Sequence, residues 1–374
     1  MNEAKLIDFF KDLHSHPELG NHEVRTTRRI REVLEAHGIA WMGSGAETGL
    51  IAVIRGKKPG RVIGLRSDID ALPIQEETGL PYASQEPGVM HACGHDSHAS
   101  IMLGAALLLK EREAELAGTV KVIFQPAEEV DNGARNMLAS GNLDDVDEYY
   151  GVHSYPWFAP GVLGIKEGPV MASVDKIEIT IRGKSSHAGY PYRSIDPIPA
   201  AAALTLSAQT IVSRNINAFS PAVVSIARIS AGNTWNVIPE TAELEGTVRT
   251  LNPEDRDMIE THLRRMTEHI AAAHGCTAEL IYTRGSAAVI NDAGLCEKAR
   301  EVAREMGFRT DLQEDTMGAE DFSDYLARRP GVFIRVGTGG FVESHHPQFR
   351  VEPESIPPAA AFFARLAMVR AAAE

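Results

Sequence analysis

Apolar side chains recur at helical spacing from the start of the chain: Leu6, Ile7, Phe9, Phe10 and Leu13, then Val24, Ile30, Val33 and Leu34 before Gly38. That period predicts two amphipathic helices. Short runs of β-forming residues follow at 50–55, 61–65, 120–125 and 149–152, with a helical stretch at 98–113 between the second and the third. Strand and helix alternate, which predicts an α/β domain: a mostly parallel sheet with helices on both faces. Asp68, Asp70, Glu128 and Glu129 fall just past the carboxyl ends of these strands, where open α/β sheets place their ligands.

The pattern changes near Val174. A strand at 174–182, an Ala-rich helix at 197–212 and strands at 222–231 and 242–249 lead into a helix, and a strand at 276–282 closes the unit. Asn252 is a natural N-cap for that helix, Pro253 fits its first turn, and Met258, Ile259, Leu263, Met266 and Ile270 form one apolar stripe. The order strand-helix-strand-strand-helix-strand is that of a ferredoxin-like α+β unit. Leu295, Ala299, Val302 and Met306 then mark a helix and 331–336 a strand, as though the first pattern resumed. The expected organisation is therefore a first domain in two parts, 1–173 and 287–374, with residues 174–286 inserted.

Composition narrows the class. A chain of 374 residues exceeds the usual single domain, and 44% hydrophobic with 24% charged residues is the balance of a soluble globular protein. Its 37 Lys and Arg against 51 Asp and Glu leave a net charge of −14, which disfavours nucleic acid and anionic membrane as partners and suits small or zwitterionic ones. The first twenty residues carry acidic groups and lack the apolar segment of a signal peptide, and no apolar run reaches membrane-spanning length, so the cytoplasm is the expected compartment. Cys93, Cys276 and Cys296 make no disulfide framework and direct attention to thiol or metal chemistry.

The densest chemical signal is Met90-His-Ala-Cys-Gly-His-Asp-Ser-His98. Cys93 and His95 can reach one borderline-soft ion, zinc or a nickel, cobalt or manganese substitute, with Gly94 easing a tight backbone. The same segment also reads as a polar turn that caps the following helix. In Gln125-Pro-Ala-Glu-Glu129, adjacent carboxylates leave a strand in opposite directions, so one can bind metal while the other faces a water; an exposed acidic turn is the plainer reading. Asp68 and Asp70, two apart, can orient a ligand imidazole from behind or form an isolated acidic loop. His153 and the pair His345-His346 are either surface histidines or the remaining ligands of two neighbouring metal positions.

These residues, together with His16-Pro-Glu18, Arg66-Ser-Asp-Ile-Asp-Ala-Leu72, Gly183 to His187, Asn236-Val-Ile-Pro239, Gly318-Ala-Glu-Asp-Phe-Ser323 and His345-His-Pro-Gln-Phe349, form an ordered series. Over practically its whole length the chain resembles the M20 metallopeptidase family, in its aminoacylase, hippurate hydrolase and auxin-conjugate hydrolase branch. The resemblance implies an amidohydrolase with two divalent metal ions per subunit and an inserted lid domain through which homodimers form. It implies Cys93 as a bridging ligand, with His95, Glu129, His153 and His345 completing the set, and Glu128 as general base; Asp70 is expected among the catalytic residues with Glu128 and His187. His345 is taken over His346 because the family pattern has a histidine two residues before the proline. His187 matches the lid histidine that donates to the oxyanion in a partner's site, although Ser185, Ser186 and Tyr192 depart from the usual residues around it. Asn236 matches a lid asparagine near the substrate carboxylate or amide oxygen; an Asx turn is its alternative. Glu320 and Asp321 either line the pocket or favour a helix dipole. The implied substrate is a small N-acyl amino acid or dipeptide-like molecule, hydrolysed as by an aminoacylase or hippurate hydrolase. A dipeptidase or a deacetylase of an N-acetylated amino-acid intermediate is the alternative. A noncatalytic metal-containing binding protein is the rival from another class, and the presence of Glu128 beside Glu129 argues against it.

Overall fold

In the computed structural model, which describes residues 2–130, 132–311 and 315–372, the two opening helices span Glu3–His14 and Val24–Ala36. Asn2 caps the first by accepting from the Lys5 amide at 3.0 Å. The second has no side-chain cap at Glu23. Instead the Glu18 carboxylate takes the orphan amides of Arg25 and Thr26 at 2.9 and 2.8 Å.

The chain divides into two compact units. The first comprises Met1–Gly168, Ile290–Glu314 and Asp321–Glu374 and is built on an eight-stranded sheet. In spatial order the strands are Ala40–Gly43, Leu50–Arg55, Ala117–Gln125, Lys58–Asp68, Glu148–Tyr155, Gly331–Gly337, Val162–Gly164 and Arg309–Asp311. The middle four run parallel. Leu50–Arg55 and Val162–Gly164 join that block antiparallel, so the sheet is mixed at its margins. The short strands 40–43, 162–164 and 309–311 lie outside the sequence expectation, because three or four residues are too few to show a period of two.

Alternation along the strands covers both faces. Tyr150, Val152, Val332 and Ile334 enter a core shared with helices His95–Glu111 and Ile356–Ala371, which pack on each other. Tyr149 and Phe333 point the other way, where Tyr325 and Phe322 of helix Phe322–Leu326 meet them at ring separations of 5.1 and 5.4 Å.

The helix expected at 98–113 begins three residues earlier and ends at Glu111. Gly94 sits at φ +88°, a left-handed conformation open to glycine, and turns the chain so that its carbonyl receives the Ser97 and His98 amides. His95 therefore lies in the first helical turn. The polar run from His95 to His98 hides that turn from periodicity, yet all four residues are buried.

The second unit comprises Pro169–Val289 with Asp315–Glu320. Its antiparallel sheet has the order Ala222–Ala231, Thr241–Thr250, Asp175–Arg182, Thr277–Arg284. Ile177, Ile179 and Ile181 alternate inward and meet helices Pro197–Asn215 and Pro253–Ala273. Both helices start as the pattern predicts, with Asp196 and Asn252 accepting from the amides two residues on and a proline in the first turn. This is the expected α+β architecture. Among the described residues no helix is long and apolar enough to cross a membrane.

One buried ion pair ties the first helix to the helix that carries His95. His14 donates to Asp96 at 2.6 Å and to Glu76 at 3.3 Å. Burial opposes its charge, but Asp96 and Glu76 push His14 up to about 9 from an ordinary 6.5. Such a raised value contributes stability that is full below about pH 6.5 and is lost as the pH rises through about 9. Asp96 is shifted down from 3.8, so its own contribution is lost only as the pH falls below that value. His14→Ala is expected to cost about 3 kcal/mol at pH 6, since it strands a buried carboxylate. The difference from the parent should narrow between pH 6.5 and 9, as read by denaturant unfolding at each pH.

Candidate metal centre

The parallel strands end together. Asp68 is opposite Gln125, and His153 is opposite Arg335 on the neighbouring pair. The segments that continue from those ends, with the loop before Gly94, carry the sequence-predicted residues to one place.

Two triads form there. Cys93, His95 and His153 present ligand atoms all within 4.8 Å of one another, and so do Cys93, Glu129 and His345. The sulfur of Cys93 belongs to both. His153 Nε2 lies 3.5 Å from it, while Glu129 Oε1 is 3.8 Å from His95 Nε2 and 3.4 Å from His345 Nε2. Glu128 joins His95 and Glu129 in a further group within the same limit. His346 points elsewhere: its Nδ1 accepts from the Gln348 amide of its own loop at 3.1 Å. His345 adopts φ +67° and donates its amide to the Ala92 carbonyl at 2.7 Å. A left-handed backbone at a nonglycine residue is a local strain held by that contact.

Hydrogen bonds select which ring nitrogen faces the centre. His95 donates Nδ1–H to Asp70 at 3.2 Å, and His153 donates Nδ1–H to the Ser154 carbonyl at 2.8 Å. Each therefore turns its Nε2 lone pair inward, the arrangement that outer partners impose on metal-binding imidazoles. His98, the fourth potential ligand of its motif, is committed otherwise. Its Nε2 accepts from the Ser154 amide and its Nδ1 donates to Asp68, both at 2.6 Å. The Ser154 hydroxyl in turn donates to the Cys93 carbonyl at 2.9 Å. A Cβ on Gly94 would stand 2.4 Å from that hydroxyl, so glycine between Cys93 and His95 answers to both space and φ.

Two buried polar atoms, His95 Nε2 and Glu129 Oε1, have no hydrogen-bond partner among the described residues. Such atoms are costly unless something else satisfies them. With the Cys93 sulfur they make a mixed sulfur, nitrogen and oxygen donor set that suits divalent ions of borderline softness. The field is anionic as well. Burial opposes charge on His95, but Asp68, Asp70 and Cys93 hold it well above the ordinary histidine value. Cys93 and Glu129 outweigh burial at His345 and push it up to about 10. His153 goes the other way, held down by burial and by His98.

A buried polar network supports this end of the sheet. Arg66 donates to Gln125 at 2.9 Å and to Asp68 and Asp321 at 2.7 Å each. Gln125 donates to Asp321, the Ala134 amide donates to Asp321 at 2.9 Å, and the Tyr325 hydroxyl donates to Gln125 at 3.1 Å. Asp321 is thus a buried counter-ion of Arg66; it stands at the N-terminus of the short helix that follows, where its side chain makes no hydrogen-bonded cap. An arginine inside an apolar strand was the available signal for this network.

The other expected site residues lie in the second unit, with Glu320. His187 pairs with Val237 in a two-residue ladder, and the Ala188 amide donates to the Asn236 carbonyl at 3.0 Å, so His187 and Asn236 share one small loop cluster. His187 is exposed, and Asn236 is half-buried.

Residues 64–369 match the family described as peptidase family M20/M25/M40. The chain is 48% identical, over 98% of its length and 97% of the relative's, to an N-acetylcysteine deacetylase of Bacillus subtilis (strain 168). It is 42% identical to an N-acetyl-L-cysteine deacetylase of the same organism, over 95% and 85% of the two chains. Among solved structures, a Bacillus subtilis dinuclear metal-binding peptidase of the M20 family superposes with a TM-score of 0.90 at 45% identity, covering 99% of this chain and 98% of that one.

Ligand imidazoles must be neutral, so divalent ions entering this centre displace protons from His95 and His345. Zinc or manganese binding should release protons and should weaken as the pH falls from 8 to 6, by up to about tenfold per unit for each proton displaced. Calorimetry in buffers of different ionisation enthalpy reads the proton count. An affinity independent of pH, with no proton released, would contradict this geometry.

Proposed function

This chain belongs to peptidase family M20/M25/M40, in its branch of aminoacylases, deacetylases and auxin-conjugate hydrolases, and from that premise we propose that it deacetylates N-acetylated amino acids, N-acetylcysteine foremost. Its class of chemistry is metal-dependent amide hydrolysis. The observation that carries the proposal is the thiol shared by two ligand triads with Glu128 alongside. The deacetylase names of two relatives support the acetyl group over the benzoyl group of hippurate.

Cys93, His95 and His153 would hold one divalent ion and Cys93, Glu129 and His345 the other, zinc, manganese, nickel and cobalt all suiting this donor set. When bound, the pair supplies Lewis-acid polarisation of the amide and a more acidic water. Glu128 takes the proton of the attacking water on its carboxylate and returns it to the departing amine. Asp70 keeps His95 in register through one oxygen and accepts the Glu129 amide on the other at 3.0 Å. His187 accepts the Gly189 amide on Nδ1 at 3.0 Å, so Nε2 carries the proton and is the donor offered to a developing oxyanion. Asn236 accepts the Thr234 hydroxyl on its side-chain oxygen at 3.1 Å, leaving its amide hydrogens for a substrate carboxylate or carbonyl.

The second unit, expected at 174–286, is proposed as lid and dimerisation domain; exposed Leu206 and Phe219 on it support a homodimer. Three free, buried cysteines support a reducing compartment, the cytoplasm.

A panel of N-acetyl, N-benzoyl and N-indolylacetyl amino acids with dipeptides, read by released amine, should show the highest kcat/KM for N-acetyl substrates. Glu128→Gln is expected to abolish turnover with metal content unchanged. A wild type loaded with metal and inert across the panel would favour a binding protein instead. His187→Ala should lose about 3 to 4 kcal/mol of transition-state stabilisation, and an unchanged rate in that folded variant would remove His187 from the mechanism.

A further inference from the structure

The backbone around Glu128 is held on both sides by buried carboxylates. Downstream, the Glu129 amide donates to Asp70 at 3.0 Å. Upstream, the Ala127 amide donates to Glu23 at 2.8 Å. Glu23 lies 104 positions earlier in the chain and is 0% exposed. The same Glu23 oxygen accepts the Asn21 amide at 3.1 Å, and the other accepts the Thr48 hydroxyl at 2.7 Å. Ala127 itself sits at φ +58°. A left-handed alanine is unfavourable in isolation and persists only where its surroundings over-determine it. Here they do: the Gly133 amide donates to the Ala127 carbonyl at 3.2 Å, and Gly20 comes so close that a Cβ on it would lie 3.3 Å from the Ala127 Cα.

Burying a carboxylate costs several kcal/mol unless its oxygens are satisfied. All the hydrogen bonds that satisfy Glu23 come from short loop segments, and one of those loops carries Glu128. We propose that Glu23 is a positioning residue for the hydrolysis: by accepting the Ala127 amide it locks the left-handed turn that aims Glu128 at the substrate water. Its work is reach and geometry. It touches no substrate, and the inference rests on Glu128 acting as the base.

Three variants separate reach from charge. Glu23→Gln keeps the length, with its amide oxygen toward Ala127 and its amide nitrogen toward the Thr48 hydroxyl, which then becomes the acceptor. Glu23→Asp keeps the charge but falls one methylene short, and Glu23→Ala removes both. With displacements near 1 Å costing up to about 100-fold, Glu23→Ala and Glu23→Asp should lower kcat by about 10- to 100-fold. In both, KM should stay within about threefold of wild type and the full metal complement should remain, while Glu23→Gln stays within about threefold in kcat. Steady-state kinetics on N-acetylcysteine with excess manganese or zinc, elemental analysis and thermal melting supply the readouts; where Glu23→Ala fails to fold, Glu23→Asp carries the comparison.

A wild-type kcat in folded Glu23→Ala overturns the proposal. So does Glu23→Gln failing as badly as Glu23→Ala, which would make charge the operative property, and so does loss of metal at saturating concentration, which would route the effect through Glu129. A rise in KM alone does the same. Glu128→Gln run in parallel distinguishes the two levels: if it turns over normally, the base assignment fails and takes this inference with it. If it is inert while Glu23→Ala is normal, only the inference fails.

Discussion

One sulfur atom shared by two ligand triads is the constraint from which the rest of this centre follows. Cys93 must stand within ligand reach of His95 and His153 and of Glu129 and His345 at once. That demand accounts for the abrupt helix start at His95, for glycine at position 94, and for Ser154 touching both the Cys93 carbonyl and His98. It also requires Nε2 lone pairs from His95 and His153, which only the hydrogen bonds on their opposite nitrogens secure.

Such a centre concentrates negative charge and buries it. Asp68, Asp70, Asp96 and Asp321 are all essentially excluded from solvent. The molecule offsets the desolvation with specific partners: Arg66 for Asp68 and Asp321, His14 for Asp96, and His95 with the Glu129 amide for Asp70. These pairings join elements far apart in the chain, so the same contacts that make the charges tolerable fix the loops that carry the ligands. A support of this kind limits how far Glu128 and Glu129 can drift from His95.

Much of the plan is legible in the sequence. Helical period located the first two helices and the apolar stripe of Pro253–Ala273, and the turn chemistry of Asn252 marked that helix's start. Strand order identified the ferredoxin-like unit because its element succession is itself diagnostic. Periodicity did not reveal the three short strands of the large sheet, nor the polar turn at His95–His98, since neither repeats long enough to produce a pattern. Among site residues, ligand types and spacing singled out Cys93, His95 and Glu129. The hydrogen-bond partners of Ser154 and Glu23 were invisible, because they lie 61 and 104 positions away.

Composition, spacing and motif order determined by themselves which chemical groups this chain has to offer and roughly which elements carry them, since those depend on residue type and local period. Only the tertiary structure decided which nitrogen each ring turns inward, that His98 is committed to Asp68 and Ser154, and that Asp321 is the buried partner of Arg66. Those outcomes depend on distances between atoms brought together by sheet registry and left-handed turns at Gly94, Ala127 and His345. A linear order of residues does not encode such distances until the chain has closed on itself.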